Sequence, residues 1–112
     1  MSLSGIANSD KPVQVMQYNF EWDPAKASSN SSKHGVTFEE ATAVFSDPMA
    51  LSTFEDEDSS PGEDRWVTLG FVGGQHYLVV VHTYLVSFEG ATIRIISARK
   101  ATRNEIKQYE QG

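Results

Sequence analysis

The chain has 112 residues, with nine Lys and Arg against fifteen Asp and Glu and a formal net charge of −6. This length fits one domain, and 39% hydrophobic residues suffice for a core, which excludes wholesale disorder. The absence of cysteine excludes disulfides, thiolate zinc sites and a cysteine nucleophile. Because no apolar run approaches a membrane span and the N-terminus lacks a signal-peptide pattern, the sequence predicts a cytoplasmic protein without membrane association.

The negative charge, averaged over the chain, argues against a nucleic-acid partner. It is unevenly placed, however: residues 55–64 (EDEDSSPGED) hold six acids and no base, so the remainder holds nine acidic and nine basic residues. Residues 92–107 carry five basic residues against one acidic residue. The sequence therefore predicts a neutral body with a basic C-terminal segment and an acidic loop. That loop is a solvated connection, a surface for a basic partner, or a screen over a basic site.

The first fifteen residues (MSLSGIANSDKPVQV) show no apolar period and are rich in small and polar side chains. They predict a disordered leader over residues 1–15, followed by one folded domain over residues 16–112. Met16 immediately precedes the patterned sequence, which makes it an alternative native start.

Two helices are predicted after a short strand in which Tyr18, Phe20 and Trp22 alternate with polar residues. The first helix has an Asp-Pro start at residues 23–24 and stops at Gly35. The second opens with a Thr37–Glu40 capping box, buries one apolar face and ends near residues 47–48.

The remaining sequence is mostly strand, and the alternation of apolar residues predicts strands at 49–54, 65–71, 77–84 and 92–98. The third of these is nearly continuously apolar and is predicted to be central, whereas the first is predicted to be an edge strand. Glycines 73 and 74 predict a hairpin turn, and residues 87–91 a loose connection. A second capping box at residues 102–105 predicts a short final helix. The predicted class is α+β.

No sequence motif indicates a cofactor or a metal. The chain has neither a GxGxxG fingerprint nor a phosphate loop, and no serine lies in a nucleophile elbow. The three histidines have no ligand-like spacing. The sequence therefore predicts no cofactor and no metal site.

What does stand out is a set of cationic side chains on ordered elements: Lys26, Lys33, His34, Arg65, His82, Arg94 and Arg99. The two lysines are two helical turns apart and therefore share a face. Three of the four arginines lie in or beside strands, where a charge among apolar neighbours is unfavourable unless it meets a carboxylate or a phosphate. The alternatives are solvated lysines, a hydrogen-bonded core histidine at 82, and an acid paired with Arg94.

Four segments of the chain, at residues 20–51, 63–70, 79–84 and 93–110, resemble the BrnT family. The most specific matches are W-D-x-x-K at 22–26, K-H-G at 33–35 and R-I-I-S-A-R at 94–99. BrnT proteins are the ribonuclease toxins of BrnT–BrnA type II toxin–antitoxin systems. The resemblance covers most of the domain and leaves the leader outside.

This resemblance implies a RelE-like fold, in which two N-terminal helices pack on a small antiparallel sheet with a short C-terminal helix. It implies metal-independent endoribonuclease activity that inhibits translation and growth until a BrnA-like antitoxin binds. It further implies that operator DNA is bound only through the antitoxin complex.

The family's basic positions fall on the cations named above. From these we predict that Arg65, Arg94 and Arg99 contact the scissile phosphate and that His34 or His82 transfers protons. Lys26 and Lys33, together with Arg94 and Arg99, are predicted to bind the RNA.

One departure from the family pattern concerns the strand that carries His82. Many relatives read H-T-x-R there, whereas this chain has Leu85 at the arginine position. The alternative function is therefore a catalytically impaired binding module that retains antitoxin binding and operon regulation.

Overall fold

The computed structural model describes residues 18–55, 64–88 and 90–112. The strands, in chain order, are β1 (Tyr18–Glu21), β2 (Leu51–Phe54), β3 (Asp64–Val72), β4 (His76–Ser87) and β5 (Gly90–Lys100). The helices are α1 (Pro24–His34), α2 (Phe38–Thr42), a 3-10 helix (Ala43–Ser46) and α3 (Arg103–Gln111).

The five strands form one sheet in the order β1-β5-β4-β3-β2. Neighbouring strands are antiparallel except for β1, which pairs parallel to β5 at one edge of the sheet. The predicted α+β class, the central position of β4 and the edge position of β2 are confirmed. The small antiparallel sheet that the family resemblance implied is present, with β1 added in parallel at one edge.

The two faces of the sheet carry different helices. On one face, which we call the α1–α2 face, a core packs Val36, Phe38, Ala41 and Val44 against apolar side chains of β4 and β5. On the other, the α3 face, the Tyr109 ring packs edge-on against Tyr77 with 5.3 Å between ring centroids. The Tyr109 hydroxyl also donates to Asp47 at 2.7 Å, which ties α3 to the loop before β2.

The helix ends follow the predicted capping residues. Asp23 caps α1 by accepting from the Ala25 backbone N–H, and Gly35 ends that helix in the left-handed conformation at φ 68°. Both predicted capping boxes are present, at the starts of α2 and α3. The second predicted helix is shorter than expected, because its last turn tightens into the 3-10 helix, as is frequent at helix C-termini.

The predicted loose connection at residues 87–91 is wrong. The ladder between β4 and β5 continues to the pair Ser87–Gly90, so the two strands form a long hairpin with a short turn. Val86 opposite Ala91 and Leu85 opposite Thr92 continue the pairing, and the β-branched residues among them favour extended backbone.

The predicted leader and most of the acidic loop lie outside the described residues.

A β-bulge interrupts β5 at Ile96. His82 of β4 lies opposite Ile95, but its neighbour Val81 lies opposite Ser97, which leaves Ile96 as the extra residue. The buried positions of β5 accordingly change from Ile93 and Ile95 to Ala98. Because a strand alternates with a period of two, the bulge places Arg94, Ser97 and Arg99 on the same α3 face.

Gly70 lies where β3 passes directly under the 3-10 helix. A Cβ atom at this position would lie 2.9 Å from Cγ1 of Val44, which is fully buried. We expect Gly70→Ala to lower the free energy of unfolding by about 1–3 kcal/mol through overpacking, measured by urea denaturation. The Val44→Ala change makes room for the methyl group, so the double variant should lose less than the two single losses combined. Additive losses would contradict this explanation.

Candidate nucleic-acid interface

Three of the predicted cations lie together in one cleft, which we call the lysine cleft. Its volume is about 200 Å³, and it is lined by Lys26, Ser29, Asn30, Lys33, His34, Ile96 and Ser97. The face of α1 that carries the two lysines is thus turned towards the bulge of β5. The cleft offers two ammonium groups and an imidazole to a ligand between α1 and the strand.

Asn30 fixes α1 beside β5, and sequence reasoning missed it. Strand β1 pairs only with the first half of β5, and the amide of Asn30 takes the place of a strand partner further along. Its nitrogen donates to the carbonyls of Val36 at 3.0 Å and Ala98 at 2.9 Å, and its oxygen accepts from the Ala98 N–H at 3.1 Å. An asparagine among serines and alanines gives no sequence signal of such a contact.

Arg94 lies next to the lysine cleft on the α3 face. Its register partner is Thr83, and that of Ser97 is Val81, so Arg94 and Ser97 are two ladder positions apart, or about 7 Å. The guanidinium pairs with Glu21 of β1 at 2.9 Å, and both side chains are about half exposed. The predicted alternative of an acid partner for Arg94 is thereby confirmed, and the pair remains accessible to a ligand.

Arg65 lies on the same face of the sheet as Arg94, two strands away from it. It is opposite Thr83 on β3, and Thr83 is in turn opposite Arg94 on β5. Two strand spacings separate the two arginines, which places their Cα atoms about 10 Å apart on one face. The register therefore places Arg65 and Arg94 on one face of the sheet, with Ser97 of the lysine cleft two ladder positions from Arg94.

Arg99 shares this face but lies near its other end, opposite Val79. Its guanidinium donates two parallel hydrogen bonds to the carboxylate of Glu105, each 2.9 Å long. The same carboxylate accepts from the backbone N–H of Thr102 at the start of α3. This fork favours a structural role in anchoring α3, and the predicted contact of Arg99 with a phosphate stays a prediction.

The pKa of Glu105 makes this anchor sensitive to pH. Hydrogen bonds from Arg99 lower that pKa from 4.5 to about 2, the Thr102 backbone contributes in the same direction, and partial burial opposes both. A lowered pKa stabilises the fold above pH 4.5, and this contribution is lost as the pH falls towards 2. We expect wild type to lose more stability than Glu105→Gln between pH 5 and pH 3 in urea denaturation. Arg99→Ala should behave like Glu105→Gln, and equal slopes for all three proteins would contradict the assignment.

His82 lies on the opposite, α1–α2 face and is only 3% exposed. Its Nδ1 lies 3.1 Å from the Thr83 carbonyl and its Nε2 lies 2.7 Å from the Thr68 hydroxyl. Burial lowers its pKa, which favours the neutral ring. These contacts are those of a hydrogen-bonded core histidine, the alternative named from the sequence. Its role in proton transfer is untested.

Five cations lie on neighbouring elements, in the lysine cleft or on the adjoining strands, and we call the region that they span the cation surface: Lys26, Lys33, His34, Arg65 and Arg94. A polyanion is the ligand that such a row of ammonium and guanidinium groups recognises, because arginine matches phosphate geometry with two parallel hydrogen bonds. Within residues 18–55, 64–88 and 90–112, no group of three or more His, Asp or Glu side chains is arranged to hold a metal ion. No helix in these ranges is long and apolar enough to cross a membrane.

The chain matches a known protein family and is similar to a solved structure. Residues 22–105 match the family described as the ribonuclease toxin, BrnT, of type II toxin–antitoxin systems. A search of curated proteins finds no match. The 1.1 Å crystal structure of the Brucella abortus ribonuclease toxin, BrnT, is similar at a TM-score of 0.53 and 21% identity, over 78% of this chain and all of that one. At this identity the structural likeness supports the fold, and the family match over three quarters of the sequence goes further: the chain belongs to the BrnT family of type II ribonuclease toxins.

Proposed function

We propose that this protein is a metal-independent endoribonuclease that binds and cleaves RNA on the cation surface. The observation that carries the proposal is the bulge at Ile96. By bringing Arg94 and Ser97 onto one face, it joins the arginine row to the lysine cleft. Family membership supplies the ribonuclease class, and the cation surface supplies a place for the phosphate backbone.

Metal-independent cleavage of RNA requires few kinds of side chain. The ribose 2′-hydroxyl attacks the adjacent phosphorus, a base removes its proton, an acid protonates the leaving 5′-oxygen, and cations stabilise the phosphorane. We assign Arg94 and Arg65 to the phosphorane, because they flank one position of the sheet face. Lys26 and Lys33 hold the neighbouring backbone.

His34 is the proton-transfer group that this geometry favours. It lies in the last turn of α1 and lines the lysine cleft together with Lys26 and Lys33. His82 faces the other side of the sheet. We assign to His34 the protonation of the leaving 5′-oxygen, and the proton of the 2′-hydroxyl passes to solvent water.

The direct test is cleavage of a fluorescently labelled single-stranded RNA by the purified protein in the presence of EDTA. We expect cleavage of the ribose substrate and none of an oligonucleotide with deoxyribose throughout, because the latter lacks the nucleophile. Activity that disappears with EDTA, or cleavage of the deoxyribose substrate, would contradict the proposed mechanism.

The cellular part of the proposal follows from the family. We propose that RNA cleavage in the cytoplasm inhibits translation and growth, and that a BrnA-like antitoxin neutralises it and mediates binding to operator DNA. Growth arrest on induction without the antitoxin, and recovery on its co-expression, would support this role.

A second candidate function, a catalytically impaired binding module, is favoured by one observation. Leu85 is 62% exposed and lies on the α3 face, two residues beyond Thr83. An arginine there would lie on the same face as Arg65 and Arg94, about 7 Å along β4 from Thr83, and we propose that the missing charge limits phosphate binding. We expect Leu85→Arg to increase RNA cleavage severalfold, in proportion to the added cation. Leu85→Gln, which adds polarity without charge, is the matched control. A rise in neither variant would contradict the view that Leu85 limits activity.

A further inference from the structure

A second cleft, which we call the aromatic cleft, lies on the α1–α2 face and is not used by the proposed reaction. Its volume is about 260 Å³, and it is lined by Tyr18, Phe45, Ser52, Trp66, His82 and Tyr84. Phe45 meets the His82 ring edge-on, with 4.8 Å between ring centroids. Tyr18, at the edge of the sheet, is 45% exposed, so the cleft opens to solvent.

The floor of the aromatic cleft is polar but uncharged. His82 Nδ1 lies by a carbonyl that can only accept, so Nδ1 donates and the neutral ring's Nε2 accepts from the Thr68 hydroxyl. Thr68 in turn accepts from the Ser52 hydroxyl at 2.8 Å. The three side chains therefore satisfy one another and present no positive charge to a ligand.

Apolar surface continues from the cleft along the β4–β5 hairpin. Val86 lies opposite Ala91, which is opposite Tyr18 on β1, so Val86 and Tyr18 flank Ala91 on the same face. Val86 is 52% exposed, and Phe88 at the turn is fully exposed. Exposed aliphatic and aromatic groups that adjoin an open cleft mark a protein-binding surface.

The charges around the cleft distinguish a protein ligand from a nucleic acid. Sites for single-stranded nucleic acid combine aromatic side chains with a positively charged groove. Among the described residues that line this cleft there is no lysine or arginine. Instead, Asp64 lies exposed on the same face, directly opposite Tyr84. A phosphate backbone would be repelled here, whereas a basic protein segment would be attracted.

We infer that the aromatic cleft docks a basic, amphipathic segment of the antitoxin, with an apolar side chain in the cleft and a basic side chain facing Asp64. The identity of the partner rests on the proposed function, since BrnT toxins belong to systems with an antitoxin. The antitoxin then binds on the face opposite Arg65 and Arg94, so its affinity and the cleavage of RNA depend on different residues of the toxin.

The experiment compares antitoxin binding of three variants by isothermal titration with the purified cognate antitoxin. The double variant Tyr18→Ser/Val86→Ser should bind about tenfold more weakly or worse, because it removes an aromatic and an aliphatic anchor. Leu85→Ser truncates an exposed apolar side chain on the opposite face of β4, and it should stay within about twofold of wild type. Asp64→Asn should weaken binding at low salt, and the difference should shrink as salt is added.

The outcomes separate the docking site from the proposed enzyme. Weaker antitoxin binding by the double variant, with RNA cleavage at the wild-type rate and an unchanged thermal midpoint, supports docking at the cleft. Unchanged antitoxin affinity overturns it. Loss of RNA cleavage with unchanged antitoxin affinity also overturns it and identifies the cleft as a nucleobase site. A wild-type protein that binds the antitoxin but cleaves no RNA contradicts the proposed enzyme alone, and weaker binding by the double variant still supports the docking site.

Discussion

Replacing Arg94 with alanine is expected to slow RNA cleavage about 10²- to 10³-fold, the effect of removing one charged or hydrogen-bonding donor from a transition state. Arg94 is the cation that joins the two parts of the proposed site, because it is opposite Thr83 and two ladder positions from Ser97 of the lysine cleft. Its loss should therefore affect the turnover rate more than the binding of RNA. Single-turnover cleavage with saturating protein measures this rate directly.

Two control variants give this prediction its specificity. Glu21→Ala removes the carboxylate that pairs with Arg94 at 2.9 Å, so the guanidinium becomes free for phosphate and cleavage should not fall. Arg99→Ala removes a guanidinium on the same face that Glu105 engages, so stability should fall while cleavage changes less than tenfold. Wild-type cleavage by Arg94→Ala, or an equal loss in Arg99→Ala, would contradict the assignment of Arg94 to the phosphorane.

Replacing Asn30 with alanine is expected to lower the free energy of unfolding by about 2–4 kcal/mol. The side chain is 7% exposed and makes three hydrogen bonds to backbone groups of Val36 and Ala98. Alanine leaves these groups buried and without the amide, and no neighbouring strand replaces it at this edge of β5. Urea denaturation measures the loss, and the thermal midpoint should fall by roughly 10 °C.

Asn30→Asp is the matched variant of nearly equal size. Its carboxylate accepts from the Ala98 N–H but has no N–H group for the carbonyls of Val36 and Ala98, and it places a charge in a buried position. We expect it to be at least as destabilising as alanine near pH 7. The loss in Asn30→Asp should diminish in acid, because the protonated side chain regains a donor. A small effect of both variants would show that α1 is held by its apolar contacts alone.

The sequence predicted most of the fold because its local signals agree with the tertiary structure. The capping residues of all three α-helices are those identified from spacing alone, and the strand alternation locates β3, β4 and β5. The hairpin between β4 and β5 was missed because residues 87–91 carry no Asn-Gly or Asp-Gly turn. The pairing continues there through contacts between the two strands, and such contacts cannot be predicted from the local sequence.

The sequence predicted which cations are candidates for the site. It did not indicate which of them pair with carboxylates and which lie on the opposite face of the sheet. Whether a strand arginine meets a carboxylate depends on residues far along the chain: Glu21 for Arg94 is 73 positions away. The separation of His82 from the strand arginines depends on which face of the sheet each side chain occupies. Asn30 and the aromatic cleft depend on packing between elements, so neither has a sequence signature.

The extra residue at Ile96 has a consequence for comparing this strand with its relatives. Arg94 and Arg99 are five positions apart, and in a regular strand an odd spacing places two side chains on opposite faces. They share a face here because the bulge takes up one of the five positions. In a strand without the bulge, a second cation would need an even offset from Arg94, four or six positions, to reach the same face. An alignment of BrnT sequences should therefore place any gap in β5 at position 96. In a relative that lacks this residue, we expect the corresponding two arginines to lie an even number of positions apart.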